Sequence, residues 1–184
     1  MSSFYAYQTA CRVLKVLDSA KKLDDGYSIK FSQLTPTECG SLLSEFLEED
    51  VRREEWVVKI LCRLYKLTES RASESTISKQ AALRFKKVRL EELKVIPYAL
   101  EGNFLKLAVV DPQVIEQQAA LEAEAGGLNI KFDLIKPTVF EQLIQSRLFS
   151  QDEKKEEPVE QEPPVSAAPA KRRRSIKWNV QDES

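Results

Sequence analysis

The sequence predicts an α+β protein with an N-terminal helical unit, a small ββαβα domain built on a three-stranded sheet with helices, and a disordered C-terminal tail. Three observations predict it. Apolar residues recur at helical spacing through the first 70 positions, strand-like runs flank a Gly-Asn pair after Val95, and from Gln151 the composition turns to Glu, Lys, Pro and Ala. The expected boundaries are therefore 1–70, 71–150 and 151–184.

In order along the chain, Phe4, Tyr7, Cys11, Leu14 and Leu17 share one side of a helix running to Leu23, with Lys15, Asp18 and Lys22 opposite. "DDGY" at 24–27 is expected to break it. "TPTE" at 35–38 starts another helix through Leu42, Leu43, Phe46 and Leu47, with Thr35 as cap, Pro36 at the first helical position and Glu38 set for a capping box. Beyond a charged junction, Trp56, Ile60, Leu61, Leu64 and Leu67 fall on one stripe, expected to be helical core. The polar run 69–75 has no periodicity and reads as a linker.

The second unit opens with a short helix in "TISKQAALRFKK". "KVIPYALEGNFLKLAVV" then reads as two strands around Gly102-Asn103. Asp111 and Pro112 turn the second strand into a helix, one as cap and the other in a first turn that needs no backbone donor. Gly126 and Gly127 end that helix, "LNIKFDLI" alternates as a third strand, and Pro137 begins a last helix. Strand, helix and strand from Leu105 to Ile135 form a crossover expected to be right-handed, with helices on one face of the sheet. The other face and the sheet edge are the expected docking surfaces.

Bulk properties bound the function. With 184 residues and 42% apolar content the chain can bury a core, and its net charge of −1 means that binding to nucleic acid or an anionic membrane needs a local patch. Cys11, Cys39 and Cys62 lack metal-site or disulfide-framework spacing and are expected to be reduced. There is no histidine, which removes the commonest general base and the usual catalytic triads. No catalytic, metal or cofactor site is readable, and the chain is expected not to be an enzyme. The N-terminus lacks the pattern of a signal peptide, and no apolar run reaches the length of a membrane span. A cytoplasmic protein is expected, with recruitment to the inner face of the membrane as an option.

The stretch from Val95 to Leu148 resembles the amino-terminal domain of type II secretion and type IV pilus assembly ATPases. The residues that carry the resemblance are Ile96-Pro97, Gly102, Leu105, Leu107-Ala108-Val109 and Asp111-Pro112, in the family's order. It implies a domain that docks a motor on a membrane-bound component of the secretion or pilus apparatus. The phosphate-cradling G-x-x-x-x-G-K-[S/T] loop is missing, so the resemblance does not extend to the motor. Pro97, Gly102, Asp111 and Pro112 are therefore expected to be structural, and the function to be that of a non-catalytic adaptor.

One branch of that family binds cyclic di-GMP through "L-G-x-x-L-x-x-x-G-x-[I/L]-T". The nearest stretch is "VVKILCRLYKLT" at 57–68, where Val58 and Tyr65 stand at the two glycine positions. Both add bulk where a ligand would lie. Arg52, Arg53 and Arg63 are the candidate phosphate contacts, and nucleotide binding is the alternative reading. A further alternative rests on the only dense basic cluster. Lys171, Arg172, Arg173, Arg174 and Lys177, with Ile176 and Trp178, can meet nucleic acid, an anionic surface or an acidic groove on a partner.

Overall fold

Residues 4–146 and Phe149 are described by the computed structural model. Four helices come first: α1 (Tyr7–Ser19), α2 (Asp25–Gln33), α3 (Cys39–Glu49) and α4 (Arg53–Tyr65). Helix α1 buries Val13, Leu14 and Leu17 and packs on α3, which buries Leu42, Leu43, Phe46 and Leu47. The capping chemistry of "TPTE" is present. Glu38 accepts from the Thr35 amide at 2.9 Å and from its hydroxyl at 2.6 Å, around a 3-10 turn, Pro36–Glu38, that leads into α3.

The helical region departs from expectation at three places. The first helix does end before Asp24, but residues 25–33 form a further helix, α2, because Asp24 accepts from the Tyr27 amide at 3.1 Å and so caps a helix the Gly had hidden. Helix α4 is rotated from the expected stripe. It buries Glu54, Val57, Val58 and Leu61 where α1, α3 and the sheet approach it, and leaves Trp56 38% and Leu64 44% exposed. The cysteines differ as well: a disulfide joins Cys11 on α1 to Cys39 at the start of α3, with the Cα atoms 5.3 Å apart. Their separation of 28 residues in sequence carries no spacing signal.

Two short helices follow, α5 (Lys79–Ala82) and α6 (Lys87–Leu93), the second beyond the one expected there. Strand β1 (Val95–Glu101) and β2 (Phe104–Val109) form an antiparallel hairpin, with Gly102 at φ 59° in the turn. Pro97 sits on the edge strand, beside an irregularity in pairing between Pro97 and Ala99, where a missing amide costs least. A 3-10 turn over Pro112–Gln117 leads to α7 (Gln118–Glu124), and β3 (Asn129–Leu134) returns parallel to β2. Helix α8 (Pro137–Ile144) closes the described chain.

The sheet order is β1-β2-β3. Leu105, Leu107 and Val109 of the central strand are fully buried on one face, whereas on the other Ala108 is buried, Lys106 is half-buried and Phe104 is exposed, so that face is covered only at the C-terminal end of β2. The edge beside β3 is partly occupied too. Leu134 donates to the Thr68 carbonyl at 2.8 Å and accepts from the Ser70 amide at 2.6 Å, so the segment read as a linker pairs with the strand. Among the described residues no helix is long and apolar enough to cross a membrane. The expected tail, 151–184, lies outside the described residues.

Candidate functional site

Helix α1 starts without a cap of its own, since Ala6 at its N-cap has no side chain that can accept a hydrogen bond. Asp111 supplies the acceptor from the far end of β2. Its Oδ2 accepts from the Ala6 amide at 2.5 Å, and its Oδ1 from Thr9 Oγ1 at 2.8 Å and from the Gln113 amide at 2.9 Å. One buried carboxylate thus begins both α1 and the 3-10 turn after β2. Charge on the acceptor strengthens each bond, and the helix N-terminus favours the negative group.

Beside this node a cleft of about 360 Å³ is lined by Phe4, Tyr5, Lys94, Asp111 and Gln113, among others. Lys94 ends α6 in the left-handed region at φ 54°, and its ammonium lies 5.0 Å from the centre of the Phe4 ring. Burial lowers its pKa, with Asp111 pulling the other way. The Tyr5 hydroxyl is pushed far above its ordinary value by burial, then by Glu54 and Asp111. The Tyr5 hydroxyl is thus held protonated at neutral pH.

The candidate arginines do not converge. Arg52 is clasped by Asp50, its Nη2 2.9 Å from Oδ2, at the start of α4. Arg53 spends its guanidinium inside the helical region, donating to the Phe46 carbonyl at 2.9 Å and to Glu49 at 2.7 Å, with its centre 4.3 Å from the Phe46 ring. Arg63 lies ten residues further along α4, about 15 Å at the usual helical rise. A single dinucleotide phosphate cannot be gripped by all three.

Val58 is 1% exposed, so its side chain is core. Tyr65 ends α4, with its hydroxyl accepting from Arg12 at 3.3 Å. The left-handed backbone that glycine would suit falls on Lys66, at φ 55°, one residue past the family's second glycine position. Of the four motif residues, Gly102 makes the hairpin turn, Pro97 sits on the edge strand and Pro112 opens the 3-10 turn. Asp111 does more than cap its own turn. The basic-aromatic cluster 171–178 lies outside the described residues.

Two features were missed by sequence reasoning. The reach of Asp111 to α1 spans 105 residues, and its only local trace is a helix that begins at "AYQT" with no capping side chain. Glu54, 5% exposed, accepts from Thr138 Oγ1 at 2.7 Å. It sits in a charged junction that reads as solvated, so nothing local marks it as buried.

No protein-family model and no curated protein sequence matches the chain. Among solved structures it is similar to MshE, solved with cdg, at 15% identity and a TM-score of 0.50, over 72% of this chain and 96% of that one. MshE is a type IV pilus ATPase. At this identity the likeness is one of fold: helices followed by a three-stranded mixed sheet with helices.

Proposed function

We propose that the chain is a non-catalytic docking module of a type II secretion, type IV pilus or related motility machine, acting from the cytoplasm and drawn to the membrane by its partner. The observation that carries this reading is the fold likeness to MshE over nearly the whole of that solved chain, in a sequence without the motor's phosphate loop. Histidine is absent, and the buried Tyr5 and half-buried Tyr98 are held protonated, which favours binding over chemistry. Affinity capture with the full chain from native extract tests it. Stoichiometric recovery of a component of such a machine is expected. Recovery of none, under conditions that preserve the machine, contradicts it.

A second reading has its own support, because the MshE structure was solved with cdg. Cyclic di-GMP binding by α4 and its neighbours would draw on the same fold. Against it stand Val58 in the core, Tyr65 at the second glycine position, and arginines engaged elsewhere or far apart. Thermal shift of the full chain with cyclic di-GMP separates the two readings: ligand that binds only the folded state raises the melting temperature, and no rise is expected.

A further inference from the structure

A groove of about 430 Å³ runs between the end of α3, the start of α4 and α8. Its apolar lining comes from Phe4, Leu47, Val51 and Pro137 and its charged lining from Glu48 and Glu141, while Glu54, buried and bonded to Thr138, forms part of its wall. Among the described residues no lysine or arginine lines it. Among the described residues neither Glu48 nor Glu141 has an ion-pair partner, while the neighbouring cations are committed: Lys136 to Glu55 at 3.3 Å and Glu69 at 3.9 Å, and Arg53 to Glu49. Val51, 63% exposed, places an apolar side chain at this acidic rim.

An apolar hollow bordered by uncompensated carboxylates is complementary to one kind of occupant. The hydrophobic effect favours an aliphatic or aromatic side chain over water against Val51, Leu47 and Phe4. The carboxylates favour flanking cations and repel an acidic segment. We propose that this groove docks a segment of a partner protein that presents an apolar side chain between lysines or arginines. The proposal rests on the docking function proposed above and names the chemistry of its partner.

The probe is a short, labelled, amidated peptide of leucine and lysine, set against its leucine and glutamate counterpart, with the full chain as receptor and anisotropy as readout. Binding of the lysine peptide alone is expected. The pair Glu48→Lys with Glu141→Lys should weaken it about tenfold, against less than about threefold for Glu74→Lys with Glu91→Lys, an equal charge change elsewhere. Val51→Asp, at an exposed position that folding tolerates, should also weaken it. Equal losses from both charge pairs, or binding untouched by Val51→Asp, would reduce the effect to general charge attraction and overturn the groove. Concentration-dependent self-association abolished by Glu48→Lys with Glu141→Lys would overturn it in favour of a second copy as occupant. A chain carrying that pair that still captures its machine component would overturn the groove alone and leave the docking function standing on another surface.

Discussion

A single carboxylate, Asp111, holds three donors from two elements distant in sequence. Replacing it with alanine leaves the Ala6 amide without its acceptor and uncaps the turn after β2. A loss of about 2–3 kcal/mol is expected in urea unfolding. In a double-mutant cycle with Thr9→Ala, a coupling well above zero is expected, whereas additive losses would deny the contact. Glu54 makes the opposite kind of contribution. Burial raises its pKa first, Glu141 adds to this, and the Thr138 hydrogen bonds and Lys136 oppose it. The folded chain therefore holds this proton more tightly than the unfolded one, so the carboxyl is most favourable below its unfolded pKa of about 4 and that contribution is lost as pH rises through the higher folded value. Glu54→Gln stays neutral and should gain on the wild type as pH is raised from acid to neutral. A stability difference that does not change with pH would place the Glu54 carboxylate in water.

The hairpin carries its own test among the elements. Gly102 is at φ 59°, and a Cβ there meets nothing within 4 Å, so Gly102→Ala should cost about 1 kcal/mol through backbone conformation alone, read as a shift in the urea midpoint. An unchanged midpoint would deny the left-handed turn. This hairpin, β3, α7 and α8 were legible because alternation, Gly-Asn, Asp-Pro and Lys-Pro are local signals. Helix α2 was not, since Asp25-Gly26 reads as a stop while the cap that starts the helix is Asp24 just before it. Helix α6 buries Leu90 fully, too thin a pattern for periodicity to register. The face of α4 was legible only in part: Leu61 of the expected stripe is buried, but Val57 and Val58 are buried with it, while Trp56, the larger apolar residue, lies under Lys22, 5.1 Å from its ring centre. Of the site, Asp111 was legible as a local cap only. Its tie to Thr9 and the burial of Glu54 depend on which distant elements meet, which no window of sequence contains.

Across the whole molecule, Asp111 with α1, Glu54 with Thr138, and residues 68–70 with β3 tie the helices to the sheet. Unfolding should therefore be one cooperative transition. In a Trp178→Phe chain, Trp56 fluorescence reports the helical region and far-UV circular dichroism the whole, and the two melting curves should coincide. Separated midpoints would show the helices and the sheet to be independent. The same packing puts Val58 in the core and fastens Arg53 to α3, which weighs for the proposed docking module against a nucleotide sensor. Calorimetric titration of the full chain with cyclic di-GMP decides between them. A flat trace at high ligand concentration is expected, and a saturable isotherm with one or two molecules bound per chain would contradict the docking reading of α4.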